Sequence, residues 1–322
     1  MQYFPRVLQN GTPDGSNVIE DGFTFKAAKK YIAMNVIEII KQLGSLITIA
    51  DVIICLPGLT LLGIWLRRTS LGRNALADSA PRRNNMPAYV PFILLFAWVG
   101  ITAAAMLAKE EFLPDLPDWQ NAYLDNLTLS IAAITAMAII ILVARISFAR
   151  RLKGFGLNAR TIRKDFFAAV VNLISVYPLV AFALIATIFF GKLIWGPGFE
   201  MQKHQELELI GLHSQLSVRA MIIITAVVVV PMFEEMLFRG LFQTVIRSFL
   251  LNFRYHQSAW LSIVISSCLF ATVHANAGHW PALFVLAICM GYAYEKSGSL
   301  FRPIFIHSLF NATSIILALR GA

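Results

Sequence analysis

Long apolar segments recur along the chain and are separated by short polar stretches. Eight of them come close to the roughly 20 residues that an α-helix needs to cross a bilayer. They cover about 44–66, 89–108, 128–149, 169–195, 219–246, 259–277, 280–295 and 303–319. The pattern predicts an all-α fold, a polytopic membrane bundle of about eight transmembrane helices.

Composition supports this interpretation. Of the 322 residues, 57% are hydrophobic and only 14% are charged, and the mean hydropathy is +0.67. Soluble domains rarely have such values. The net charge of +9 comes largely from short loops between the apolar segments, and no basic patch with interleaved aromatic residues occurs. Membrane lipids are therefore expected partners, and nucleic acid is not.

The charged loops predict how the helices are oriented. Positive loops lie at about 67–88, 150–168, 247–258 and 296–302, and the loop 109–127 is acidic. Because positive loops remain on the cytoplasmic side, this alternation places both termini outside. Four lysines before the first apolar segment favour the opposite orientation, but the five arginines of the first loop outnumber them.

The sequence divides into three parts. Residues 1–43 form a polar leader without the features of a cleavable signal peptide, and 22–43 is either a basic amphipathic helix on the membrane surface or a solvated segment. Residues 44–165 form apolar helices with little internal polarity. Residues 166–322 contain the candidate chemistry. The three cysteines all lie in apolar segments without a CxxC pair, which indicates neither a disulfide framework nor a thiolate metal site.

The first polar motif lies in "PMFEEMLFRGLF", residues 231–242. Glu235 and Arg239 are four positions apart on a helix, the acid first, which is the favourable order for an ion pair. Glu234 points about 100° away from Glu235, since successive helical residues are rotated by that angle. We expect Arg239 to neutralise one carboxylate while the other faces a cavity.

Two further motifs follow along the chain. "LFATVHA" contains His274, one turn after Phe270, and "HSLFNAT" contains His307 and Asn311 on one helical face. A charged group at mid-membrane costs about 2.5–3.5 kcal/mol on the insertion scale. Packing could explain each motif separately, but it explains their joint occurrence poorly. We therefore expect these side chains to share one polar pocket.

The residue types indicate acid–base chemistry. A carboxylate in a low-dielectric pocket binds protons more tightly and can act as a general base. A histidine beside it could help to hold a water molecule, and histidine and asparagine donors could stabilise an oxyanion. The same acids and histidines could instead bind Zn²⁺, but the chain lacks the HExxH motif, so metal is not required.

The three motifs together resemble those of the CPBP intramembrane proteases, which include the type II CAAX prenyl endopeptidases and bacteriocin-processing or self-immunity proteins. The family pattern is EExxxR, FxxxH and HxxxN, here Glu234 to Arg239, Phe270 to His274 and His307 to Asn311. The stretch "GYAYEKSGSLFRPIFIH" also looks like the usual lead into the last motif. The resemblance covers roughly 155–322.

The resemblance implies a role for each motif residue. Glu234 would be the base that activates water, with His274 assisting, and Glu235 would support that site or remain paired with Arg239. His307 and Asn311 would stabilise the oxyanion. Whether a metal takes part is left open, with Glu234, His274 and His307 as the candidate zinc ligands. A peptide or protein substrate is implied, with lipid-modified substrates among the candidates, in a bacterial plasma membrane.

Two other functions compete with proteolysis. A proton-coupled transporter should carry broken helices or repeats in both halves, whereas the polar residues here occupy one half. A non-catalytic immunity or binding protein would not need the complete motif set. Straight, centred helices would hold the motifs at different depths, so we expect kinks at Pro231 and Pro303. The cavity is expected to open toward the cytoplasm.

Overall fold

The computed structural model describes residues 36–44, 49–196, 198–202, 205–253 and 257–321. Most of the leader, including the larger part of the predicted surface helix at 22–43, lies outside these residues. Within them the chain is helical, and the extended backbone pairing consists of one isolated bridge between Asn84 and Phe148.

Each of the eight predicted apolar segments coincides with a helix. The helices are α1 (36–44), α2 (Ile49–Arg68), α3 (Val90–Phe112), α4 (Asp118–Ser147), α5 (Arg151–Phe155), α6 (Ile162–Trp195), α7 (Gln205–Leu212), α8 (Leu216–Asn252), α9 (Ser258–Thr272), α10 (Trp280–Ser297) and α11 (Phe301–Gly321). This confirms the all-α membrane bundle. Helices α3, α4, α6, α8 and α10 are long and apolar enough to cross a membrane, and α9 and the apolar part of α11 are shorter.

Helix α8 forms the centre of the bundle. Every residue from Glu235 to Val245 is buried, and aromatic rings such as Phe155 and Phe270 pack against it. The outer helices instead turn large apolar side chains outward, among them Phe96 and Ile53. This distribution is that of a membrane protein, because lipid solvates exposed apolar side chains as well as the protein interior does.

Helix α8 widens in two places. Thr225–Val229 and Met236–Gln243 adopt π-helical geometry and lie on either side of the motif glutamates. Such wide turns are rare and often occur at functional sites. The helix continues through Pro231, which lies two residues after the end of the first π-helical segment. Pro303 lies in the first turn of α11, where the N–H groups have no helical partner, so it requires no kink.

A second buried polar cluster ties the loop between α2 and α3 to α8 and α10. The Glu295 carboxylate accepts hydrogen bonds from Arg247, from Arg82 at 3.3 Å and from the Gln243 amide at 3.0 Å. Arg82 also donates to the carbonyl of Tyr294 at 2.8 Å and stacks on its ring. The sequence analysis did not identify this cluster, although Gln243 and Arg247 extend the four-residue spacing that begins at Arg239.

Candidate active site

The site is built on a buried ion pair within α8. Nη1 of Arg239 donates to Oε1 of Glu235 at 2.8 Å, and both side chains are completely buried. Nη2 of Arg239 lies 3.3 Å from the Ala287 carbonyl oxygen, and its guanidinium lies over the Phe270 ring. The predicted pairing is confirmed. The ion pair stabilises the fold only while both partners are present, since an unpaired buried charge is costly.

His307 brings α11 to this pair. Its Nδ1 lies 3.0 Å from Oε1 of Glu235, so one carboxylate oxygen receives both His307 and Arg239. An ionised carboxylate only accepts, so Nδ1 carries a proton, and in the neutral form of the ring the lone pair lies on Nε2. That Nε2 lies 3.8 Å from Oε2 of Glu234. This separation exceeds a direct hydrogen bond but suits a bridging water molecule.

Glu234 points away from the ion pair and lines a cavity of about 240 Å³. His274, His307 and Asn311 line the same cavity. The prediction that one glutamate is neutralised while its neighbour faces a cavity is therefore confirmed, and so is the shared polar pocket. Adjacent helical residues point about 100° apart, so Glu235 can pair with Arg239 while Glu234 faces the cavity.

His274 lies in the turn that follows α9. Its Nδ1 donates to the Phe270 carbonyl at 2.7 Å, and the indole N–H of Trp280 donates to the His274 carbonyl at 2.8 Å. A carbonyl oxygen can only accept, so the neutral His274 ring also keeps its lone pair on Nε2. The two histidines are thus fixed in the same tautomer by different partners.

Asn311 is tied to the first π-helical segment of α8. Its amide nitrogen donates to the Ala226 carbonyl at 2.8 Å. One amide hydrogen is used in this contact, and the second remains available for another acceptor. His307 and Asn311 share a face of α11, as their spacing predicted.

Helix length explains how the motifs meet. Helix α9 has 15 residues, about 22 Å of rise, which is shorter than the roughly 30 Å hydrocarbon layer. Because α9 is this short, His274, just after its end, lies deeper in the membrane than it would after a full-length span. Helix α8 has 37 residues, and Glu234 stands near its middle. The expected kink at Pro303 is not needed.

The cavity also includes residues that the sequence analysis did not single out. Asn126 of α4 is buried, and its amide donates to the Ala122 carbonyl at 2.9 Å. Thr225 of α8 exchanges a hydrogen bond with Ser130 at 2.8 Å. Glu206 of α7 lines the cavity rim. Isolated polar residues of this kind are common in apolar helices, so no local pattern marks them.

The sequence leaves zinc open, with Glu234, His274 and His307 as the candidate ligands. In the described part of the chain no group of three His, Cys, Asp or Glu side chains is arranged to hold a metal ion. The Nδ1 atoms of both histidines are engaged by acceptors, so only their Nε2 atoms are left for other partners. The chemistry proposed below therefore uses the side chains that line the cavity.

Fold and site together define the class: a polytopic helical membrane protein with a polar cavity lined by side chains of α8, α11 and the turn after α9. Residues 216–313 match the type II CAAX prenyl endopeptidase Rce1-like family. This range contains all three motifs. The resemblance to the CPBP intramembrane proteases is thus confirmed over this part of the chain.

A curated relative gives a shorter match. An uncharacterized 24.3 kDa protein of Escherichia coli is 33% identical over 88 residues, which cover 26% of this chain and 38% of the relative. The match thus spans well under half of that protein. No solved structure matches the chain.

Proposed function

We propose that the protein is an intramembrane endopeptidase that hydrolyses a peptide bond with a water molecule activated by Glu234. The observation that carries the proposal is the position of His307 between two glutamates, one neutralised by Arg239 and one facing a cavity. Family membership of residues 216–313 supports a protease of the CAAX type.

Glu234 and His307 would hold the attacking water molecule. The 3.8 Å between Oε2 of Glu234 and Nε2 of His307 allows one water to contact both atoms. Glu234 takes a proton as the water oxygen attacks the scissile carbonyl. His274, which lines the same cavity, offers another Nε2 acceptor that can take one of the two water hydrogens in place of His307 and so assist Glu234 in orienting the water.

The proton then has a defined path to the leaving group. It moves from Glu234 to Nε2 of His307, and the imidazolium that forms is stabilised by Glu235 at Nδ1. His307 donates this proton to the departing amine as the C–N bond breaks. Glu235 thereby orients the ring and balances its charge, the role that carboxylates play behind catalytic histidines.

Asn311 would stabilise the oxyanion through its second amide hydrogen, since the first is bound to Ala226. The protonated form of His307 adds a charged donor. A neutral His307 is an acceptor at Nε2, so the geometry favours an acid–base role for this residue over the oxyanion role that the sequence predicts.

The substrate class follows from the site and the family. The site lies within a membrane bundle, so the scissile bond belongs to a membrane-associated peptide or to a C-terminal, CAAX-like segment, with lipid-modified peptides as natural candidates. We propose a bacterial plasma membrane as the location, a proposal that the multi-pass fold and the similarity to an E. coli protein support.

The test is cleavage of a mixed peptide library, including farnesylated C-terminal peptides, by the purified protein in detergent. We expect wild-type protein to cleave and Glu234→Gln to be inactive. The matched control is Glu208→Gln, an exposed glutamate on α7 outside the cavity, which should cleave like the wild type. Cleavage retained in Glu234→Gln would overturn the mechanism.

A further inference from the structure

We propose that the substrate reaches this site from the acidic face of the bundle, and that the groove there selects peptides with lysine or arginine beside the scissile bond. The proposal rests on the proposed function, because it assigns the substrate class of the same site. Three observations support it: the connection between two cavities, the closure of the opposite side and the charge of the groove.

The first observation is a groove that adjoins the active-site cavity. It has a volume of about 750 Å³ and lies between the start of α4, α7 and the turn before α8. Asn126, Leu129 and Glu206 line both the groove and the active-site cavity. An extended peptide in the groove would therefore lead directly to Glu234.

The second observation is that the opposite side is filled. From Glu235 to Val245 every residue of α8 is buried, and below this level Glu295 is bound by Gln243 and Arg247. The Tyr294 hydroxyl closes the same region by donating to the Phe155 carbonyl at 2.8 Å. A peptide approaching from the positive loops would have to displace this buried cluster.

The third observation is the charge of the groove. Asp118, Asp125 and Glu206 line it, and no lysine or arginine is among its described lining residues. Asp125 pairs with Lys109 at 2.6 Å, whereas the described ion pairs include neither Asp118 nor Glu206. Trp119 adds an aromatic face of the kind that attracts cations. The groove therefore favours a cationic segment.

The acidic face is the one that the loop charges place outside the cytoplasm. It is formed by the loop between α3 and α4, and the positive loops lie at the other ends of the helices. The cavity thus opens on the side opposite to the predicted cytoplasmic opening. The substrate class that results is a basic peptide presented at the extracytoplasmic surface.

Peptide binding tests the selectivity without requiring turnover. Fluorescence anisotropy would compare a lysine-containing peptide with a glutamate-containing peptide of equal length on the Glu234→Gln protein. We expect the basic peptide to bind at least about tenfold more tightly. Asp118→Lys/Glu206→Lys should abolish that preference, whereas Glu110→Lys/Glu111→Lys, at the end of α3 and outside the groove, should retain most of it.

The proposed selectivity would be overturned if both peptides bound equally well. It would also be overturned if the two double variants lost the preference for the basic peptide to the same extent. Because binding is measured in a protein that cannot turn over, an absence of cleavage in wild type would count only against the proposed function. The two failures are therefore distinguishable. High salt should weaken the preference, because exposed charges are screened beyond about 8–10 Å.

Thiol labelling tests the side of access. Single cysteines at Gln215 in the groove and Asn85 on the opposite face, both exposed, would be placed in a chain whose three cysteines are replaced by serine. A membrane-impermeant maleimide should label Gln215→Cys in intact cells and Asn85→Cys only after permeabilisation. The reverse pattern would overturn extracytoplasmic access.

Discussion

The imidazole of His307 lies 3.0 Å from the carboxylate of Glu235, 72 residues away in the chain. Because Arg239 neutralises that same carboxylate, the contact fixes the ring without a net buried negative charge. The other ring nitrogen is thereby directed toward Glu234. This one relationship sets the orientation of the ring between the two glutamates.

Replacing Glu234 with glutamine should separate catalysis from stability. The side chain is partly exposed to the cavity and has no ion pair with Arg239, so the melting temperature should change little. The rate of cleavage should fall by at least about 10²–10⁴, the usual contribution of a general base. Peptide cleavage and thermal unfolding in detergent measure the two effects. A large loss of thermal stability would show a structural role instead.

Replacing Arg239 with methionine should destabilise the fold. It leaves the Glu235 carboxylate buried without its cation, which typically costs about 3–5 kcal/mol. The double variant Glu235→Gln/Arg239→Met removes both charges and should recover part of that loss. Unfolding in detergent would compare the three proteins. A double variant less stable than Arg239→Met would contradict the ion-pair interpretation.

Replacing His307 with glutamine should lower the cleavage rate by about 10²–10³ and alter its pH dependence, since the ring carries the proton between Glu234 and the leaving group. Glu235→Gln should have a weaker effect on the same profile, because it acts on the ring and not on the substrate. The measurement is kcat/KM across pH. An unchanged pH profile in His307→Gln would remove the residue from proton transfer.

Chelation of metal should leave cleavage unchanged. The proposed steps use only side chains, and the described residues offer no three-ligand group. Activity would be assayed after dialysis against a chelator and again after adding Zn²⁺. Loss on dialysis and recovery with zinc would show that ligands assemble only with substrate or metal present.

Gly240 tests the packing at the centre of the bundle. A β-carbon at this position would lie 2.3 Å from the Phe155 ring, so Gly240→Ala should destabilise by about 1–3 kcal/mol through overpacking. Gly100→Ala on α3 is the control, since a β-carbon there meets nothing within 4 Å, and alanine favours a helix. Equal melting temperatures for the two variants would contradict the packing.

The sequence by itself determined the features that depend on local geometry. The length of the apolar segments predicted the helices, and the fixed rotation of a helix predicted both the Glu235–Arg239 pair and the divergence of Glu234. These relationships involve residues at most five positions apart. A helix imposes them whatever surrounds it.

Tertiary structure decided the contacts between helices. The sequence did not show that His307, rather than His274, would lie between the glutamates, nor that Glu295 would bind Arg82 and Arg247 behind them. Spacing along one helix fixes the direction of a side chain, whereas packing, helix length and the wide turns of α8 determine which neighbour that side chain meets.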